Sequence, residues 1–153
     1  MGTLINLTNV AVSGLLMCMS PRLAGGQTPA CPGMHVTILN IRNGIGTVDC
    51  ALFNSPEGFP TDVLRSAVRL VAMKVPNLEA RCDFENIPAG TYALVVLHDE
   101  NMNGKLDTNW AGVPTEGYGF SNNARGALGA PTFAAASFKY DGRNVDLTMS
   151  LHY

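Results

Sequence analysis

Between positions 98 and 109 the chain reads HDENMNGKLDTN, a run dense in side-chain oxygens. Asp99, Asn101, Asn103 and Asp107 fall at positions 1, 3, 5 and 9 of a loop that has Gly104 at position 6. This is the spacing of an EF-hand-like calcium loop, in which alternate residues aim oxygens inward and a glycine permits the sharp turn. Asp99, Asn101 and Asn103 would coordinate through their side chains, Lys105 through its backbone carbonyl, and Asp107 directly or through water. Every donor is a hard oxygen, which suits calcium. Two departures weaken such a site. Position 12 is Trp110 instead of a bidentate Glu, and only two side-chain ligands carry charge. Fewer charges place the affinity on the order of 10⁻⁴–10⁻³ M, as in extracellular modules. The competing reading is an Asx-rich turn whose amides and carboxylates satisfy its own backbone without metal.

His98 directly precedes this loop and invites a catalytic role. General-base work needs a nucleophile in reach. The best candidate is Ser121 in Gly119-Phe120-Ser121-Asn122-Asn123, and a G-x-S-x-G elbow fails because Asn123 replaces the second glycine. A histidine ending a strand beside a carboxylate is more often a structural imidazole with both nitrogens engaged. The segment 110–131 carries Trp110, Tyr118 and Phe120 among glycines and the amides of Asn122 and Asn123. Exposed aromatics beside amides can stack on and hydrogen-bond a sugar or a peptide, and long loops on a rigid scaffold often carry binding. The alternative is that these aromatics fold down and cover one end of the domain.

Short strands with turn signals between them must position these residues. Residues 35–41 and 47–54 flank Asn43-Gly44, which predicts a hairpin. A short helix is expected over 61–67, a third strand over 68–75, and a turn at Pro76-Asn77 into a fourth over 78–84. There Leu78, Ala80, Cys82 and Phe84 alternate with charged residues, the mark of a half-buried strand. The strand 91–98 runs into the oxygen-rich loop, and Gly90-Thr91-Tyr92 resembles the tyrosine corner of β-sandwiches. A closing hairpin is expected from 133–140 and 144–151 around Asp141-Gly142. About seven strands and almost no helical period indicate an all-β fold, an antiparallel β-sandwich of immunoglobulin-like or transthyretin-like kind. A small closed barrel is the alternative.

Only 14% of the 153 residues are charged, 46% are apolar, and the net charge is −2. Without a basic run the chain has no electrostatic footprint for nucleic acid. Residues 4–20 are mostly apolar and are followed by a small-residue stretch, which reads as a secretory signal peptide over 1–26, a linker over 27–33 and a β-sandwich domain over 34–153. A retained anchor is the rival, but Asn6, Thr8 and Asn9 interrupt a span already short for a bilayer. Lipid attachment at Cys18 is disfavoured by the bulky Met17 before it. The expected location is therefore periplasmic or extracellular, with no membrane span in the mature chain. No cysteine pair has zinc spacing. Cys50 and Cys82 both fall on inward faces. An oxidising compartment would let them form a disulfide worth about 3–4 kcal/mol, and two buried free thiols are the alternative.

The stretches 98–109 and 112–126 (GVPTEGYGFSNNARG), with 52–59 (LFNSPEGF) and 87–92 (IPAGTY), resemble a bacterial family of small exported proteins known as a domain of unknown function. The resemblance spans residues 34–153 and implies an exported β-sandwich, but no activity. Met102 stands where the family usually has glycine, a change that stiffens the loop without removing a ligand. The expectation is a non-enzymatic exported module, calcium-stabilised, that binds a protein or glycan. A periplasmic hydrolase using His98 with nearby carboxylates is the second reading.

Overall fold

The computed structural model describes residues 32–127 and 129–153. The expected signal peptide, most of the expected linker, and Cys18 and Cys31 lie outside these residues. Eight strands form two facing sheets. β1 (Gly33–Leu39) is the centre of a three-stranded sheet, antiparallel to β4 (Ala80–Glu85) and parallel to β8 (Val145–Ser150). The second sheet has the order β3 (Arg69–Lys74), β2 (Thr47–Phe53), β5 (Gly90–Asp99), β6 (Gly117–Phe120), with β7 (Phe138–Tyr140) also pairing with β5. The fold is an all-β sandwich. Among the described residues no helix is long and apolar enough to cross a membrane.

Period-two alternation builds the core. Met34, Val36 and Ile38 of β1 and Cys82 and Phe84 of β4 meet Val48, Cys50 and Leu52 of β2 and Leu94 and Val96 of β5. Cys50 and Cys82 are fully buried and bridged by a disulfide, their Cα atoms 6.5 Å apart, so the bond ties one sheet to the other. The Tyr92 hydroxyl donates to the Pro88 carbonyl at 2.9 Å, forming the tyrosine corner where the chain passes from β4 to β5.

The two expected hairpins, and the expected turn between the third and fourth strands, are arches between the sheets. β1 and β2, β3 and β4, and β7 and β8 are neighbours in sequence but belong to opposite sheets. Asn43-Gly44, Pro76-Asn77 and Asp141-Gly142 reverse the chain as turn residues should, and pairing is then decided by which face each strand must bury. The strand expected over 133–140 is divided. Phe133–Ala136 forms the short helix α2, with the Thr132 side chain accepting from the Ala135 amide, and only Phe138–Tyr140 is strand. The short helix expected near 61–67 is α1, Val63–Ser66.

The segment 110–131, read as a long loop, contains β6. Its GYGF sequence hides a strand because glycine takes every inward position. A Cβ on Gly117 would lie 2.6 Å from the Tyr153 ring, and one on Gly119 would lie 2.9 Å from the Ser150 carbonyl oxygen. Glycine here marks close approach of another backbone. Tyr118 and Phe120 therefore point outward beside Leu97 and Val95, their partners on β5. Phe120 is buried there with Ala93 and Ala136, and Phe59, Tyr118 and Phe133 pack around them.

Candidate binding site

The oxygen-rich loop leaves the end of β5 and is held from two sides. Asp99 is buried, and its carboxylate accepts the Asn103 amide at 3.1 Å and the Gly104 amide at 2.6 Å. Glu116, also buried, accepts the Glu100 amide at 2.9 Å and the Asp107 amide at 3.0 Å, pinning both ends of the loop to the start of β6. Sequence reasoning passed over Glu116 because it lies nine residues beyond Asp107. Its only signal was a lone carboxylate immediately before the glycine-rich strand.

Asn101 and Asn103 turn their amide nitrogens to Asp107, at 2.6 and 3.1 Å. Their oxygens accept the Asn103 and Lys105 backbone amides at 3.1 and 2.9 Å. The four side chains placed at loop positions 1, 3, 5 and 9 are thus gathered, in a network that satisfies itself. The donor chemistry fits calcium. Beside it, Asp49 of β2 has one carboxylate oxygen buried without a hydrogen-bond partner. Burial, with Asp99 nearby, raises the pKa of Asp49 against the lowering hydrogen bond from Thr47. An oxygen left unpaired beside a second carboxylate suits a cation. Among the described residues no three His, Cys, Asp or Glu side chains cluster as a metal site, so a calcium ion would depend on the amide oxygens turning inward.

His98, which directly precedes this loop, is fully buried between the first arch and the chain end. Its Nε2 faces the Ile45 carbonyl at 2.8 Å, so that nitrogen carries the hydrogen, and its Nδ1 is 2.8 Å from the Tyr153 hydroxyl. The Glu100 carboxylate stands 3.8 Å from Nδ1, beyond hydrogen-bond reach. Ser121 is likewise committed. Its buried hydroxyl donates to the Ala136 carbonyl at 2.6 Å and accepts the Leu94 amide at 2.9 Å. Neither residue has a free atom to offer a substrate.

Arg42 locks the first arch onto the loop. Its guanidinium bonds Glu100 at 2.6 Å and the Thr115 carbonyl at 2.9 Å, and lies 4.4 Å from the centre of the Tyr153 ring. The Arg42 hydrogen bond outweighs burial and holds Glu100 below its usual pKa. A depressed carboxylate stabilises fully above its unfolded value of about 4.3, and that stabilisation disappears as pH falls through the folded value. Wild type should therefore melt higher than Glu100→Gln at pH 7, and the gap should close below about pH 4. A gap that persists unchanged to pH 3, in melts recorded across the range, would contradict this linkage.

The residues expected to bind a partner separate into two places. Trp110 is 99% exposed at the tip of a turn closed by the Thr108–Pro114 bridge, where the Asn109 side chain accepts the Ala111 and Val113 amides. Tyr118, Phe120 and Asn123 instead line one cleft of about 390 Å³, which Ser150 and His152 complete. Phe120 supplies a wall there and no exposed stacking face, since it is only 8% exposed. Asn122 spends its amide on the Ser137 carbonyl at 2.8 Å. A second groove, about 410 Å³ and mostly apolar, runs along the outer face of β5 and β6 beside Leu106.

No curated protein and no solved structure matches the chain. Residues 36–148 match the family described as an uncharacterized protein conserved in bacteria (DUF2141), and the chain belongs to that family.

Proposed function

We propose that the chain is an exported, non-enzymatic β-sandwich module that binds a glycan in the cleft beside β6, with calcium reinforcing the 99–107 loop. The observation that carries this reading is the cleft itself. Three of the five residues with recognition chemistry in the sequence line one concavity, within the size range of small-molecule sites. Tyr118 offers an aromatic ring, and Asn123 and Ser150 offer polar groups of the kind that meet sugar hydroxyls. The sealed His98 and Ser121 argue against the hydrolase. Export is supported by the apolar run before residue 21 and by the Cys50–Cys82 bridge, since disulfides persist in oxidising compartments.

Calorimetric titration with chitotriose, cellotriose and tri-galacturonate, followed by chromatography of the sugar, tests the reading. At least one should bind and be recovered intact, and Tyr118→Ala should lose that binding while remaining folded. Absence of binding by folded protein, or appearance of cleavage products, would overturn it.

Trp110 supports a second reading, a protein partner. A fully exposed tryptophan on a pre-ordered turn is the kind of anchor that dominates interfaces. Trp110→Ala should move the melting temperature by no more than about 2 °C, because nothing packs on the ring. It should also lower recovery of any protein that co-purifies with wild type. A large loss of stability would show that the indole is packed.

A further inference from the structure

The cleft beside β6 holds an arginine–histidine pair that the glycan reading does not require. Arg125 points one guanidinium nitrogen between the two ring nitrogens of His152, 3.3 Å from Nε2 and 3.5 Å from Nδ1. At those lengths, against a ring that is itself a donor at one nitrogen, the contact is weak. Among the described residues no carboxylate stands within ion-pair distance of Arg125, nor of Arg65 or Arg69, whereas Arg42, Arg81 and Arg143 each have one; of the three without, Arg125 is the one that lines this cleft. An arginine carries five donors in a flat fork that fits a two-oxygen anion. Most of that fork is unspent.

The pair is also held in place. The His152 backbone exchanges two hydrogen bonds with Tyr118, at 2.8 and 2.9 Å, which sets its ring 6.3 Å from the Tyr118 ring. On the other side Ser121 and Asn122 anchor the segment that presents Arg125, through the Ala136 and Ser137 carbonyls. The larger open hollow near β7, about 750 Å³, differs in this respect. Its Arg143 is already spent on Asp141 at 2.8 Å.

We infer that the ligand of this cleft carries an anionic group, a carboxylate or a sulfate on a sugar, bound by Arg125 with His152 beside it and Tyr118 against the ring. This rests on the glycan reading above and narrows it to acidic sugars. The fork donates two N–H bonds to the anion, while Asn123 and Ser150 meet hydroxyls. A neutral sugar of the same shape would leave the guanidinium without its partner.

Calorimetry with tri-galacturonate, its fully methyl-esterified form and a sulfated galactose trisaccharide tests the inference. An acidic trisaccharide should bind about tenfold or more tighter than the neutral ester, the ratio that a charge-assisted hydrogen bond supplies. The arm that binds tighter, uronate or sulfate, identifies the anion. Arg125→Gln should bring the ratio close to one without lowering the melting temperature, because the side chain is exposed and bonded only to His152. Equal affinity for ester and acid would overturn the inference and leave glycan binding intact. Binding of chitotriose or cellotriose alone would do the same. Failure of every sugar to bind folded protein would remove the glycan reading itself.

Discussion

Replacing both Cys50 and Cys82 with alanine should cost about 3–4 kcal/mol, the loop-closure contribution for a bridge spanning 32 residues. For a domain of this size that is a fall of roughly 10–15 °C in melting temperature. Both thiol positions are fully buried between the sheets, and the bond joins β2 of one sheet to β4 of the other. It therefore restrains the arches, which no ladder hydrogen bonds hold together. Wild type under strong reductant should melt near the double variant. Reductant that opens the bond, as free-thiol titration would show, yet leaves the melting temperature in place, would mean that facing apolar surfaces alone hold the sheets.

The second large effect is expected at Asp99. Asp99→Ala removes a buried carboxylate that two loop amides donate to. Hydrogen bonds to charged groups are worth about 1.5–3 kcal/mol each, so a loss of roughly 3 kcal/mol is expected even without metal. On the proposed reading calcium should add to this. An ion that binds only the folded chain stabilises it by about 1.4 kcal/mol at ten times Kd. Wild type should melt several degrees higher in millimolar calcium than in chelator, and Asp99→Ala should abolish the difference. Asn101→Ala should only reduce it, because a neutral amide contributes less than a carboxylate. Magnesium should substitute poorly, since it favours a tighter octahedral shell. Identical wild-type melts in calcium and chelator would leave the self-satisfied turn as the full description of the loop.

Strand positions and faces were legible because alternation is local. The sequence Ala80-Arg81-Cys82-Asp83-Phe84 states its own inward and outward sides, and Tyr92 identifies its corner through a bond to a residue only four positions earlier. Pairing was not local. Asn43-Gly44 says that the chain reverses but not that β2 will leave β1 for the opposite sheet, and the parallel β1–β8 pair joins residues more than 100 apart. β6 was hidden because Gly117 and Gly119 erase the alternation, for a reason visible only once Tyr153 and Ser150 are seen against them.

The same limit applies to the site. Asp99, Asn101, Asn103 and Asp107 announce themselves by spacing, whereas Glu116 and Asp49 join them only through folding. Tyr118 and Asn123 were chosen for their chemistry and do share a cleft. Arg125 and His152, 27 residues apart, meet only because the chain end hydrogen-bonds to β6. Two residues so far apart give no pattern in one dimension.

Isotope-edited NMR tests the central claim most directly. A ¹⁵N-labelled sample titrated with tri-galacturonate should show amide shifts concentrated at 118–126 and 150–152, with the 99–107 loop and Trp110 left in place. Shifts centred on Trp110 or on the outer groove beside Leu106, or none anywhere with this or any of the other trisaccharides while the protein stays folded, would contradict a glycan site beside β6.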